Sequence, residues 1–140
     1  MKTDKIEIYL SIYRRSIIVV FGWDLQKIIN LAHKKNIKTA KFSERMKDEF
    51  YGAGLCCKFG DHNTDILIWI KDFPDRASKY GILYHELYHA VDVIAEDIDP
   101  EFKLYCEDGV SEARAYLYEY IVTECNKVLW AVKTKNKKKK

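Results

Sequence analysis

Residues 84–96 read YHELYHAVDVIAE, and within them His85-Glu86-Leu87-Tyr88-His89 forms an H-E-x-x-H pattern. On a helix of 3.6 residues per turn, positions four apart share a face. His85 and His89 would then present their imidazoles side by side, as two ligands of a tetrahedral zinc require. Asp92 and Glu96 extend that face, while Tyr80, Leu83, Leu87, Val91 and Ile94 line another at helical spacing. The stretch predicts an amphipathic helix over 76–96 with its polar groups gathered on one side. Two histidines four apart also occur on helices that bind nothing, so the rest of the chain must supply the context.

Immediately upstream, residues 53–59 (AGLCCKF) and 65–71 (DILIWIK) predict two strands. The intervening GDHNT is rich in turn formers, so the pair reads as an antiparallel hairpin, with His62 explained by turn chemistry. Pro74-Asp75 ends the second strand and starts the motif helix. Further upstream, 5–13 (KIEIYLSIY) alternates as a strand that Arg14-Arg15 interrupts, and 16–22 (SIIVVFG) is a β-branched run suited to a buried strand. Asp24 is placed to N-cap a helix through LQKIINLAHKK, whose stripe is Leu25, Ile28, Ile29 and Ala32, with His33 at the surface near its end. Residues 37–51 are polar, with a short helix around SERMKDEF.

Downstream, 97–100 (DIDP) is a turn, EFKLYCE follows, and Asp108 is placed to N-cap a second helix over 109–130. Strands, helix, strands, then two helices argue for an α+β domain, a small antiparallel or mixed sheet packed on helices.

The bulk numbers agree. A chain of 140 residues, 48% hydrophobic and with only six Gly and two Pro, suits one globular domain. A domain of this size buries about two-thirds of its unfolded surface and needs no staple to fold. The formal charge of +3 comes from the end of the chain: residues 131–140 hold six of the 24 basic residues, so residues 1–130 carry 18 basic against 21 acidic. The expectation is a mildly acidic domain over 1–130 and a disordered basic tail over 131–140. No aromatic residue interleaves the tail lysines, so no base-stacking platform is indicated and nucleic acid is not the expected partner. Cys56, Cys57, Cys106 and Cys125 show no C-x-x-C spacing, and one of the vicinal pair should face the core. With no signal-peptide pattern at the N-terminus and no apolar run long enough for a bilayer, the expected location is the reducing cytoplasm, away from membranes.

Hydrolytic zinc usually takes three protein ligands and leaves a position for water. Glu86 would project about 100° round the helix from His85, beside the metal rather than onto it, which suits a general base. The third ligand must come from elsewhere. Glu112, 23 residues past His89 near the start of the next helix, is the first choice, and Glu119 on the same face is the reserve. An acidic residue in a first helical turn also stabilises the helix dipole without any metal. Asp92 could orient a ligand histidine, or be a solvated charge or half of a helix pair.

At this point the chain resembles a family. His85-Glu86-Leu87-Tyr88-His89-Ala90 and the downstream Glu112-Ala113-Arg114-Ala115-Tyr116 resemble the zincin metallopeptidases of the glutamate-ligand type, and especially the small zincin-like proteins of phages and mobile elements. The resemblance covers roughly residues 53–125. It implies Zn2+ held by His85, His89 and Glu112, with Glu86 as general base acting on a peptide or protein substrate. It also implies that DILIWIK is the edge along which an extended peptide pairs. The chain departs from the larger members, which carry a second lobe and a third ligand in N-E-x-x-S-D or G-x-x-D-E contexts. An oxyanion stabiliser has no assigned residue, and Tyr88, Tyr116 and Tyr120 are the phenols close in sequence. Two functions follow as expectations: a zinc-dependent peptidase, or a catalytically inactive zincin-like binding or structural module of a phage or mobile element. A carboxylate at Glu86 beside an open coordination position favours the enzyme.

Overall fold

The structure, a computed structural model, describes residues 3–38, 52–60, 64–98 and 108–137, and in the last of these the side chains of 113–132 and 134. The short helix expected around 43–50, His62, Cys106 and the side chains of Asp108 and Glu112 lie outside the described residues.

Among the described residues, four strands and three helices make an α+β domain around one mixed sheet. Strands β1 (Lys5–Leu10), β2 (Arg15–Phe21), β3 (Gly54–Lys58) and β4 (Ile66–Ile70) take the order β1-β2-β4-β3. The outer pairs are antiparallel and the central pair, β2 with β4, is parallel in the register Ile17↔Ile66 to Phe21↔Ile70. All residues of β2 and of β4 are buried. Uninterrupted burial on both faces is what a parallel pair covered by helices on each side requires.

Period-two alternation divides the core in two. Ile17, Val19, Phe21, Ile66, Ile68 and Ile70 face helix α2 (Ala77–Ile98) and helix α3 (Asp108–Lys137), meeting Leu83, Leu87, Val91, Ile94, Ile121 and Leu129. Ile18, Val20, Leu67, Trp69, Cys57 and Phe59 face helix α1 (Leu25–Lys34) through Ile28 and Ala32. Leu83, Leu87, Val91 and Ile94 are fully buried, so the core stripe of the motif helix holds as expected. Each such side chain contributes about 1.5–3 kcal/mol by burial. Asp24 caps α1, accepting from the Lys27 amide at 2.8 Å.

Some boundaries differ from those the sequence suggests. The first strand stops at Leu10; Ser11–Tyr13 is a 3-10 turn, and Arg14 takes a left-handed φ of 51° to reverse the chain. Arg14 alone interrupts, because Arg15 is the first residue of β2 and is buried. Its guanidinium pairs with Asp97 near the end of α2, at 2.9 Å, and Lys58 at the end of β3 also pairs with Asp97. Helix α3 continues past residue 130 to Lys137, because Leu129 and Val132 are still buried and carry the helix on into the basic segment.

The strand DILIWIK is not an edge. It lies between β2 and β3, and among the described residues the outermost strands are β1 and β3. Five consecutive buried residues leave β4 no solvated side, so a hydrogen-bonded neighbour on both flanks is the stable arrangement. Among the described residues, no helix is long and apolar enough to cross a membrane.

Candidate metal centre

The motif occupies the middle of α2, where Leu83, Leu87 and Val91 fix the rotation of the helix against the sheet. That rotation turns His85 and His89 to solvent, and both are exposed. Their Nε2 atoms stand 3.1 Å apart, with the ring planes at 89°. Two Nε2 atoms bound to one zinc at 2.0–2.1 Å and the tetrahedral angle would be about 3.3–3.4 Å apart. The spacing is thus within a few tenths of an ångström of a two-ligand clamp. Without metal, one imidazole donates to the other, a contact that the 3.1 Å distance also serves.

Glu86 points a different way. It is buried, 8% exposed, against the first residue of β3. A Cβ built on Gly54 would lie 2.8 Å from Glu86 Cγ, 3.0 Å from its Oε1 and 3.1 Å from Ile82 Cγ2. Only a residue without a side chain lets the carboxylate lie this close to the strand. Burial pushes the Glu86 carboxyl above its ordinary range, and the nearby His89 and His85 pull it part of the way back. One turn of helix therefore separates two roles: an exposed imidazole pair, and a carboxyl held under the sheet edge with increased basicity.

Strand β3 offers that edge. The Phe59 amide donates to Asp65 O at 2.8 Å and the Lys71 amide to Ala53 O at 3.0 Å, and each bond joins residues directly opposite in the β3–β4 register. Antiparallel pairs alternate between bonded and non-bonded, so Leu55 and Cys57 also bond inward to β4. Gly54, Cys56 and Lys58 then direct their main-chain N–H and C=O groups outward. Among the described residues, no strand lies beyond them.

The two cysteines on β3 take opposite faces. Cys57 joins the α1 side of the core, whereas Cys56 packs on the α2 side. Burial raises the Cys56 thiol well above its ordinary value, and the neighbouring Cys57, Glu86 and Asp92 raise it further. Cys56 is therefore a neutral packing group in this structure.

The other expected residues separate. Asp92 orients no histidine; its Oδ1 accepts from Arg114 on α3 at 3.0 Å. Glu119 is exposed, and Tyr88, Tyr116 and Tyr120 are about half exposed or more. Tyr116 and Tyr120 line, with Leu10, Ile12, Tyr13 and Leu117, an open cleft of about 440 Å³ beside the 3-10 turn. Among the described residues, no group of three or more His, Cys, Asp or Glu side chains gathers closely enough to hold an ion. Glu112 belongs to the first turns of α3, and its side chain is outside that description. Gly54 was not legible as a site residue. A glycine opening a strand reads as turn punctuation, and only the packing of Glu86 gives it a role.

No protein-family model, no curated protein and no solved structure matches the chain.

Proposed function

We propose that this protein is a zinc-dependent metallopeptidase in which His85, His89 and Glu112 hold Zn2+ and Glu86 is the general base. The observation that carries the reading is the division of labour on one helical turn. Two imidazole nitrogens stand 3.1 Å apart in solvent, and the adjacent carboxylate is buried against β3, the outermost strand on that side among the described residues. A helix with two idle histidines has no use for a carboxylate kept out of water, or for the glycine that makes room for it.

Zinc bound there would acidify a water towards a pKa of about 7 and polarise the substrate carbonyl. The remaining chemistry belongs to the chain. Glu86, its carboxyl raised by burial, would hold the proton of the attacking water on a carboxylate oxygen and pass it to the leaving amine. The outward main-chain groups of Gly54, Cys56 and Lys58 pair with an extended peptide as an added strand. Because Gly54 touches Glu86, that strand passes beside the base. The pairing edge in this reading is β3, in place of DILIWIK.

Metal content by mass spectrometry, together with cleavage of a peptide library, tests the proposal. Wild type should carry one zinc per chain, and His85→Ala and His89→Ala should lose it. Of Glu112→Ala and Glu119→Ala, the first alone should weaken binding. Glu86→Gln should keep zinc and lose roughly 10²–10⁴-fold in cleavage rate. Zinc retention with no cleavage by wild type under any condition would instead favour the inactive zincin-like module. A protein that neither holds zinc nor is stabilised by added zinc would refute the metal reading.

A further inference from the structure

We propose that the outer edge of β1 seats a second copy of this chain, the two strands pairing antiparallel about a two-fold axis at Ile6, so that Lys5 of each copy lies opposite Glu7 of the other. The contact needs no metal and does not depend on the peptidase reading.

The Phe21 amide donates to Asp4 O at 2.9 Å, and the β1–β2 register, which sets Lys5 against Val20, sets Asp4 against Phe21. Bonded and non-bonded pairs alternate in an antiparallel ladder, so Ile6, Ile8 and Leu10 also bond inward to β2. Lys5, Glu7 and Tyr9 therefore direct their main-chain N–H and C=O groups outward, and among the described residues no strand lies beyond them. The register runs unbroken from Lys5 to Leu10, with neither proline nor bulge to blunt the edge. The side chains of these outward residues are the accessible ones of the strand. Glu7 and Tyr9 are exposed, Tyr9 by 61%.

Charge selects the occupant and its register. Lys5 and Glu7 stand on one face of β1, 2.9 Å apart, and Lys35, just past α1, lies 3.2 Å from Glu7 and steadies it. Across a two-fold axis, outward residues pair only with outward residues. An axis at Glu7 or at Lys5 sets like charges together, which is unfavourable. An axis at Ile8 runs Lys5 against Ser11, which has already left the strand for the 3-10 turn. The axis at Ile6 sets Lys5 against Glu7 in both directions and Tyr9 against Thr3, so the charges alternate in sign around the seam. A second copy brings that matching pattern with it; an unrelated strand would have to supply it. The joined sheet runs β3-β4-β2-β1 into β1-β2-β4-β3, which leaves β3, with Glu86 beneath it, at both outer ends.

Sedimentation velocity on the full chain, from low to high micromolar concentration, tests this, with circular dichroism to show that each variant is folded. Wild type should pass from monomer to dimer, since a single strand seam is a small interface of the weak, transient class. Glu7→Lys and Lys5→Glu each set like charges across the seam, and each should weaken association by at least about tenfold. Mixed in equal amounts, those two variants should associate with each other about as tightly as wild type does with itself, because each supplies the sign that the other lacks. A residue that matters only for folding gives no such rescue. Tyr9→Pro removes an outward N–H and no bond to β2, so it should leave the fold intact and abolish the dimer. A wild type that stays monomeric into the high micromolar overturns the proposal. So does a dimer indifferent to Tyr9→Pro and to both charge reversals, which would place the contact on another face, such as the cleft beside Ile12.

Discussion

Gly54→Ala tests how Glu86 is housed, independently of any catalysis. The added methyl would sit 2.8 Å from Glu86 Cγ, 3.0 Å from Oε1 and 3.1 Å from Ile82 Cγ2. Ordinary van der Waals approach is about 3.5–4.0 Å, so the overlap is worst at Glu86. Overpacking of this kind costs about 1–3 kcal/mol. Gly54 has no left-handed φ, so alanine also gains about 0.5–1 kcal/mol by restricting the unfolded chain. The net expectation is a loss of roughly 1–2 kcal/mol in urea denaturation. Glu86→Ala removes both of the worst contacts. In that background Gly54→Ala should be neutral or stabilising by up to about 0.5 kcal/mol, a coupling of roughly 1–2.5 kcal/mol between the two sites. Additivity within about 0.5 kcal/mol would refute the claim that Gly54 exists to admit the carboxylate. Under the proposed peptidase reading, Gly54→Ala should lower cleavage with zinc retained, because it displaces Glu86 and not the imidazoles.

Asp97 gives a pH signature. Burial pushes its carboxyl up, but Lys58 and Arg15 outweigh burial and hold it below its ordinary value. A depressed folded pKa means stability present above the ordinary carboxylate range and lost as pH falls through the folded value. Asp97→Asn should cost about 1–2 kcal/mol at pH 7, since it leaves Arg15 buried without its carboxylate, and the gap should shrink progressively below about pH 4. An equal gap at pH 7 and pH 3 would sink the assignment. Leu87→Ala, in the fully buried stripe under the motif, should cost about 2–5 kcal/mol by thermal or urea melts; a cost under about 1 kcal/mol would mean that α2 does not dock through that face. The Cys125 thiol, pushed up to about 12 by burial, should resist alkylation at pH 8 in the folded protein and react on unfolding.

The motif helix was the most legible element, because Leu83, Leu87, Val91 and Ile94 repeat at the period of a helix and nothing competes with that pattern. The β3–β4 hairpin was legible from its turn formers. The parallel pairing of β2 with β4 was not, since apolar runs such as SIIVV and ILIWI declare burial on both faces without naming a partner. The signal that β4 is interior was present all the same: an edge strand carries polar alternation or charge, and ILIWI has neither. The end of the first strand was obscured because SIY continues the alternation of KIEIYL, and the left-handed turn at Arg14 leaves no mark in hydropathy. At the site, helical spacing turns Glu86 away from His85, but that it packs against Gly54 of β3 was not legible, because that contact is made across elements. For Asp92 an ion pair was among the open readings, but its partner Arg114 was not legible, because a pair across two helices has no local spacing to announce it.

The parallel junction at the centre of the sheet also bears on how the chain folds. Each outer pair, β1 with β2 and β3 with β4, joins neighbours in sequence and can close early at small entropic cost. Joining Ile17 to Ile66 spans 49 residues, so docking β2 on β4 is the step at which chain entropy is lost in bulk. Substitutions at that seam should slow refolding, whereas substitutions on α3, which covers the sheet from outside, should chiefly speed unfolding. Until the seam closes, two of the most apolar segments of the chain stand open to neighbouring molecules, and refolding yield should fall with protein concentration while native stability does not.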